Sequence, residues 1–228
     1  MAVNIVKTLD DKVRSTHALV SVSDKRNLDQ LIPELVSICP DIIIYSTGGT
    51  YQSIEKILAD KASKRLVQVS SYTGQPETQG GLVKTLDFKI YLGLLTETYN
   101  SAHQDDLART GAVPIDLVVV NLYPFEATVA GKNVTVEEAR ANIDIGGPCM
   151  IRAGSKNYHR VAVLVDPGDY AQFVKSLRLN QGCTTLKQRF ELAKKAFHHT
   201  AAYDTAISEY LSKVVFDVAS QCYEIQKR

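Results

Sequence analysis

Four short runs of near-continuous apolar, β-branched residues set the narrowest limit on how this chain can fold. They are HALVSV (His17 to Val22), DIIIYS (Asp41 to Ser46), DLVVVNLY (Asp116 to Tyr123) and RVAVLV (Arg160 to Val165). A strand with one wet face alternates apolar and polar residues, whereas a strand covered by helices on both faces reads as unbroken apolar sequence. Between the runs, NLDQLIPELVSI and YQSIEKILAD carry apolar residues at helical spacing. TVEEARANI opens with Thr135 and has Glu138 three residues later, the capping-box signature of a helix start. Beyond about Thr184 the pattern is helix alone, with Leu186, Phe190, Leu192, Ala196 and Phe197 followed by Ala201, Tyr203, Ile207 and Leu211. Alternating strands and helices predict an α/β domain on an open parallel sheet, and such sheets bind ligands beyond the carboxyl ends of their strands.

Composition narrows the function classes. With 26 Lys plus Arg against 25 Asp plus Glu, the formal charge of +1 argues against nucleic-acid binding by bulk electrostatics. Cys39, Cys149, Cys183 and Cys222 are scattered and form no CxxC pair, so zinc-ligand spacing is absent. Free thiols of this kind fit a reducing, cytoplasmic setting. The first residues lack a signal-peptide core, and no stretch reaches membrane-spanning length. We therefore expect no membrane partner.

The chemistry is expected in the loops after the apolar runs. SVSDK (Ser21 to Lys25) follows the first, and STGGT (Ser46 to Thr50) follows the second and leads into a helix. A helix N-terminus carries roughly half a positive charge, and glycines let its N–H groups approach an anion. Ser23, Ser46, Thr47 and Thr50 add hydroxyl donors, Gly48 and Gly49 add open backbone, and Lys25 adds a full charge. An ordinary capped turn explains either loop alone; two at carboxyl strand ends point to a phosphate site. Neither is a dinucleotide fingerprint or a Walker loop. NLYPFEAT presents Asn121 and Tyr123 ahead of a proline, and in NIDIGGP Asp144 precedes two glycines, where it reads either as a helix cap or as a general acid/base. VKTL places Lys84 and Thr85 between apolar residues. The adjacent His198 and His199 point in different directions on a helix, one to pack and one to solvent, and make no metal site.

Taken together, SVSDK, STGGT, SYTG.PE, VKTL, DLVVVNLYPFEATVA, TVEEA..NIDIGGP, VDP.DY and KAF.HTAAYD resemble the IMP cyclohydrolase domain of the AICAR transformylase/IMP cyclohydrolase family, from about His17 to Leu211. The pairing of NLYPF with NIDIGG carries most of the weight. The resemblance implies a three-layer α/β/α sandwich with a mainly parallel sheet, methylglyoxal-synthase-like, with a helical C-terminal region. It divides the chain into an N-terminal extension (1–16), a cyclohydrolase-like domain (17–212) and a helical tail (213–228). The implied reaction closes 5-formamido-4-imidazolecarboxamide ribonucleotide (FAICAR) to IMP with loss of water, using neither metal nor organic cofactor. Implied catalytic residues are Lys84, Tyr123, Asp144 and Lys156, with Lys84 and Lys156 bracketing the developing charge. The nucleotide would be held by Ser21, Ser23, Lys25, Ser46, Thr47, Gly48, Gly49, Thr50, Thr85, Asn121, Ile145 and Gly146. A homodimer and a separate transformylase are the implied protein partners.

The chain departs from the family around Lys84. Where the family reads GRVKTLHPKxHGG, this chain reads GLVKTLDFKIYLG: Leu82 stands for an arginine, Asp87 and Tyr91 for histidines, Phe88 for a proline and Leu92 for a glycine. Gln75 stands for a phenylalanine and Tyr158 for a histidine. Losing the arginine removes a cation near the substrate unless Lys89, Arg152 or a second subunit supplies one. Two further readings stay open: a non-catalytic purine-nucleotide-sensing module of the same fold, and a methylglyoxal-synthase-like enzyme on another small phosphorylated substrate.

Overall fold

The computed structural model describes residues 5–75 and 83–226. In chain order the elements are β1 (Lys12–Arg14), β2 (His17–Val22), α1 (Leu28–Ile38), β3 (Ile43–Ser46), α2 (Gly48–Leu58), α3 (Ala62–Arg65), β4 (Leu66–Gln68) and α4 (Val69–Thr73). There follow α5 (Phe88–Leu95), α6 (Ser101–Thr110), β5 (Leu117–Asn121), α7 (Phe125–Val129), α8 (Val136–Ala141), α9 (Gly146–Lys156), β6 (Ala162–Leu164), α10 (Tyr170–Leu179), β7 (Cys183–Thr185), α11 (Leu186–Lys213) and α12 (Phe216–Ser220).

The four apolar runs become β2, β3, β5 and β6 of a five-stranded parallel sheet in the order β4-β3-β2-β5-β6. Side chains alternate across the strands, which splits the core in two. Ala18, Val20, Ile44, Leu117, Val119 and Leu164 face α1, α2 and α10. Leu19, Tyr45, Val118, Val120 and Val163 face α5, α9 and α11. Every residue of β5 is buried, as a central strand with two covered faces requires. The arrangement is the expected α/β/α sandwich.

Several local expectations are met. Thr135 caps α8 with the reciprocal Thr135–Glu138 hydrogen bonds of a full capping box. The long C-terminal pattern forms a single 28-residue helix, α11. Two features were not legible. β4 is only three residues long. β1 pairs antiparallel with β7, Lys12 opposite Thr185, in a separate two-stranded ribbon.

Buried cations lock the amino end of the sheet. Arg160 donates to Oδ1 of Asp116 and to the carbonyls of Thr96, Ile115 and Gly93. Oδ2 of Asp116 accepts from the Thr16 hydroxyl and from the Thr16 and His17 N–H groups. Arg189 is fully buried, and its guanidinium is satisfied by the carbonyls of Asp10, Asp11, Tyr158, His159 and Thr184. No helix among the described residues is long and apolar enough to cross a membrane.

Candidate active site

At the carboxyl end of the sheet, β2 runs into the SVSDK loop, and Asn121 at the end of β5 shapes that loop. Its Oδ1 accepts from the N–H groups of Ser23 (2.7 Å) and Asp24 (2.8 Å), while Nδ2 donates to the Asp24 carbonyl (2.8 Å). One strand over, β3 passes through Ser46 and Thr47 directly into α2. Gly48 takes φ +47°, a left-handed conformation that a side chain would disfavour. Thr50 accepts from the Val22 N–H (3.1 Å) and donates to the Val22 carbonyl (3.0 Å), which ties the first turn of α2 to β2. The hydroxyls of Ser21 and Thr47 lie 3.3 Å apart. Two lysines converge on this turn. A Cβ placed on Gly48 would lie 3.5 Å from Nζ of Lys84, and one on Gly49 would lie 4.0 Å from Cε of Lys25. Among the described residues neither lysine has an acidic partner within salt-bridge distance. A helix N-terminus and two ammonium groups with no acidic partner among the described residues together form a cradle suited to an anion.

Asp144 stands across the cleft, immediately before α9. Its Oδ1 accepts from the Gly147 N–H at 2.9 Å, and its own N–H donates to the Tyr203 hydroxyl at 2.8 Å. The glycine pair is dictated by close approach. A Cβ on Gly147 would come within 2.5 Å of Asp144 Oδ2, and one on Gly146 within 2.6 Å of Thr85 Oγ1. Burial pushes the Asp144 carboxyl above the ordinary aspartate value, against the pull of the Gly147 and Gly146 N–H groups. Tyr123 leaves the end of β5 half exposed, its carbonyl accepting from the Phe125 N–H at 2.8 Å. A cavity of about 680 Å³ unites the two sides. It is lined by Ser21, Ser23, Lys25, Thr47, Gly48, Gly49 and Thr50, and by Lys84, Thr85, Asn121, Tyr123, Asp144, Ile145 and Gly146.

Known proteins place this chain in a family. The MGS-like domain model matches residues 29–149, more than half of the chain. The chain belongs to the MGS-like domain family. The AICARFT/IMPCHase bienzyme model matches residues 154–227. The bifunctional purine biosynthesis protein PurH of Bacillus subtilis (strain 168) is 46% identical over 198 residues, which are 87% of this chain and 37% of that protein. Its counterpart in Bradyrhizobium diazoefficiens is 47% identical over 204 residues, 90% of this chain and 37% of that protein. The chain thus spans little more than a third of the length of these curated relatives. The crystal structure of ForH superposes with a TM-score of 0.69 at 31% identity, covering 85% of this chain and 97% of that one.

Within this MGS-like domain, two residues assigned to the site from sequence lie elsewhere. Ser46 is fully buried and donates to the Val20 carbonyl at 2.7 Å, so its hydroxyl holds the sheet together and does not face the cavity. Lys156 is the last residue of α9, while Gly146 at the cavity is the first. At 1.5 Å of rise per residue the two ends of that helix stand roughly 15 Å apart. Lys156 is exposed there, and the two-lysine bracket does not form within one chain. The proposed replacements for the family's arginine are also engaged elsewhere. Lys89 Nζ donates to the Tyr72 carbonyl, and Arg152 stacks over Phe197. Leu82 itself falls outside the described residues, as do Pro76 and Glu77 of SYTG.PE. Asp87 caps α5 by accepting from the Lys89 N–H at 2.7 Å.

Asn142, Ile143, Gly147 and Met150 line the cavity as well, though only the loop that carries them was singled out from sequence. Of the two histidines, His198 is exposed and His199 is half-buried, with burial lowering its pKa. Among the described residues no group of three or more His, Cys, Asp or Glu side chains is placed to hold a metal ion.

Proposed function

We propose that this chain is an IMP cyclohydrolase, closing FAICAR to IMP with loss of water. The observation that carries this reading is a desolvated carboxyl, Asp144, in the same 680 Å³ cavity as an anion cradle whose two lysines have no acidic partner among the described residues. The 5′-phosphate of the nucleotide sits on the first turn of α2, held by its N–H groups, Ser23, Thr47, Lys25 and Lys84. That leaves the imidazole and its two amide arms facing Asp144 and Tyr123. The carboxamide nitrogen attacks the formyl carbon, a C–N bond forms, and the nitrogen gives up a proton. The formyl oxygen takes up that proton and a second one from the formamide nitrogen, and its C–O bond breaks as the new ring's C=N bond forms, so water leaves and the reaction balances without an oxidant or reductant. Asp144 accepts the amide proton and returns it to the departing oxygen, a role for which a raised pKa suits a carboxyl. Tyr123 orients the carboxamide. Holding both arms of one molecule in attack geometry can lower a barrier by roughly 7–11 kcal/mol.

Lys84 is assigned here to the phosphate side, because its ammonium stands against Gly48. A cytoplasmic homodimer completes the reading. It is tested by following IMP formation from FAICAR in the ultraviolet against a protein-free blank. Acceleration over spontaneous closure supports cyclohydrolase activity. Tight IMP binding with no acceleration would replace it with the nucleotide sensor.

A further inference from the structure

Tyr203 belongs to α11, some sixty residues downstream of the site, and lines no part of the 680 Å³ cavity. Its ring is buried, edge-on to Phe125 at 6.3 Å, and Phe125 begins α7 two residues after Tyr123. Its hydroxyl reaches two backbone groups in the turn before α9. It accepts from the Asp144 N–H at 2.8 Å and points its own proton at the Asn142 carbonyl, 3.5 Å away. A phenylalanine would fill the same volume, so the hydroxyl is the feature that needs explaining. Without it the Asp144 N–H loses its acceptor in a partly buried turn, which such groups rarely tolerate. One ring thus braces both loops that carry cavity residues, one through packing and the other through hydrogen bonds.

We propose that Tyr203 is a positioning residue for Asp144, fixing the backbone that aims its carboxyl into the cavity; the proposal rests on the ring-closure reading above. Tyr203 touches no substrate. It sits behind Tyr123 in a neighbouring cavity of about 850 Å³, which Tyr123, Asn121 and Ser23 separate from the first. The titratable groups that share a cavity wall with Asp144 are Lys25, Lys84 and Tyr123, and from α11 Tyr203 hydrogen-bonds the Asp144 N–H. Freed from the tyrosine, the 142–145 turn relaxes and its carboxyl gains water, which returns an aspartate towards its ordinary pKa.

The test is Tyr203→Phe, which keeps the ring and its packing. For ring closure of FAICAR, kcat is expected to fall about three- to ten-fold with KM changed by less than about two-fold, the loss of one oriented hydrogen bond. The acid limb of the kcat profile is expected to move to lower pH. A carbon-13 titration of the Asp144 carboxyl, identified by its absence in Asp144→Asn, reads the same shift without substrate. Wild-type kcat with an unmoved limb overturns the proposal, and so does a lower kcat with an unmoved carboxyl titration, which marks a general structural defect. If the wild-type protein does not close FAICAR, the functional reading fails, and the carboxyl titration alone decides for or against Tyr203.

Discussion

The two ends of one parallel sheet treat charge in opposite ways. At the amino end, the Arg160–Asp116 pair is nearly water-free and Arg189 is fully buried, and each is surrounded by partners. At the carboxyl end, Lys25 and Lys84 have no acidic partner among the described residues, and Asp144 is half-buried with its pKa raised. Satisfied charge fixes a fold, because removing one member strands the other in a dry interior. Unsatisfied charge is held ready for a ligand, and the fold bears the cost of holding it. The same three-layer scaffold therefore carries a brace at one end and the candidate site at the other.

The same substitution at each end exposes the difference. Asp144→Asn is expected to lower kcat for FAICAR by about two to four orders of magnitude, the usual contribution of a general acid–base group. Its stability should hold or rise. A carboxyl whose folded pKa lies above its unfolded value opposes folding once ionised, and that cost is relieved as pH falls through the folded pKa. Removing the charge removes the cost at neutral pH. Asp116→Asn should do the reverse. Its new amide N–H₂ would face the Thr16 and His17 donors, and Arg160 would lose its counter-charge, so a loss of about 3–5 kcal/mol is expected in urea unfolding. Activity per folded molecule should stay at the wild-type level. If Asp116→Asn instead abolished turnover in well-folded protein, the division between the two ends would not hold.

How far this division could be read in advance depended on the range of the interactions involved. The four strands were legible because burial on both faces writes itself into consecutive residues. The capping box and the STGGT turn were legible because each is made within a few positions. Arg189 was not, since its partners at Asp10, Asp11, Tyr158, His159 and Thr184 are distant in sequence. Tyr203 read only as an apolar position of a long helix, because nothing in KAFHHTAAYD says that its hydroxyl meets Asp144. Lys156, expected at the site, stands away from this chain's cavity for the opposite reason. Twelve positions from Asp144 look close in sequence, but α9 carries the chain straight away from the cavity. The resemblance supplied its name; the helix geometry set its place.

A smaller effect separates the two lysines of the cradle from the exposed cations elsewhere. Lys25→Ala and Lys84→Ala should each weaken IMP binding by about ten- to a hundred-fold, as charge-assisted hydrogen bonds to a phosphate are worth roughly 1.5–3 kcal/mol. Calorimetric titration at fixed ionic strength measures this, and repeating it at higher salt should narrow the gap between variant and wild type. Lys156→Ala, at the far end of α9, is expected to leave single-chain binding within about two-fold, since exposed charges more than a Debye length away are largely screened. A large loss from Lys156→Ala would mean that a second copy brings this residue into the site.

The finest distinction lies between two neighbouring serines at the same sheet end. Ser23 lines the cavity with its hydroxyl uncommitted among the described residues, whereas Ser46 is fully buried and bonded to Val20. Ser46→Ala removes one buried neutral hydrogen bond, a net loss of about 0.5–1.5 kcal/mol. In a domain of this size that lowers the thermal midpoint by roughly 2–4 °C per kcal/mol. Its affinity for IMP should not change, because the hydroxyl it loses never faced the anion. Ser23→Ala should leave the midpoint alone and weaken IMP binding by about three- to ten-fold, the worth of one hydrogen bond to a phosphate oxygen. The two variants differ by one oxygen each, within one turn of chain from a strand end. If Ser46→Ala weakened binding while Ser23→Ala did not, the hydroxyls would be serving the opposite ends of the design, and the cradle would have to be redrawn around the deeper serine.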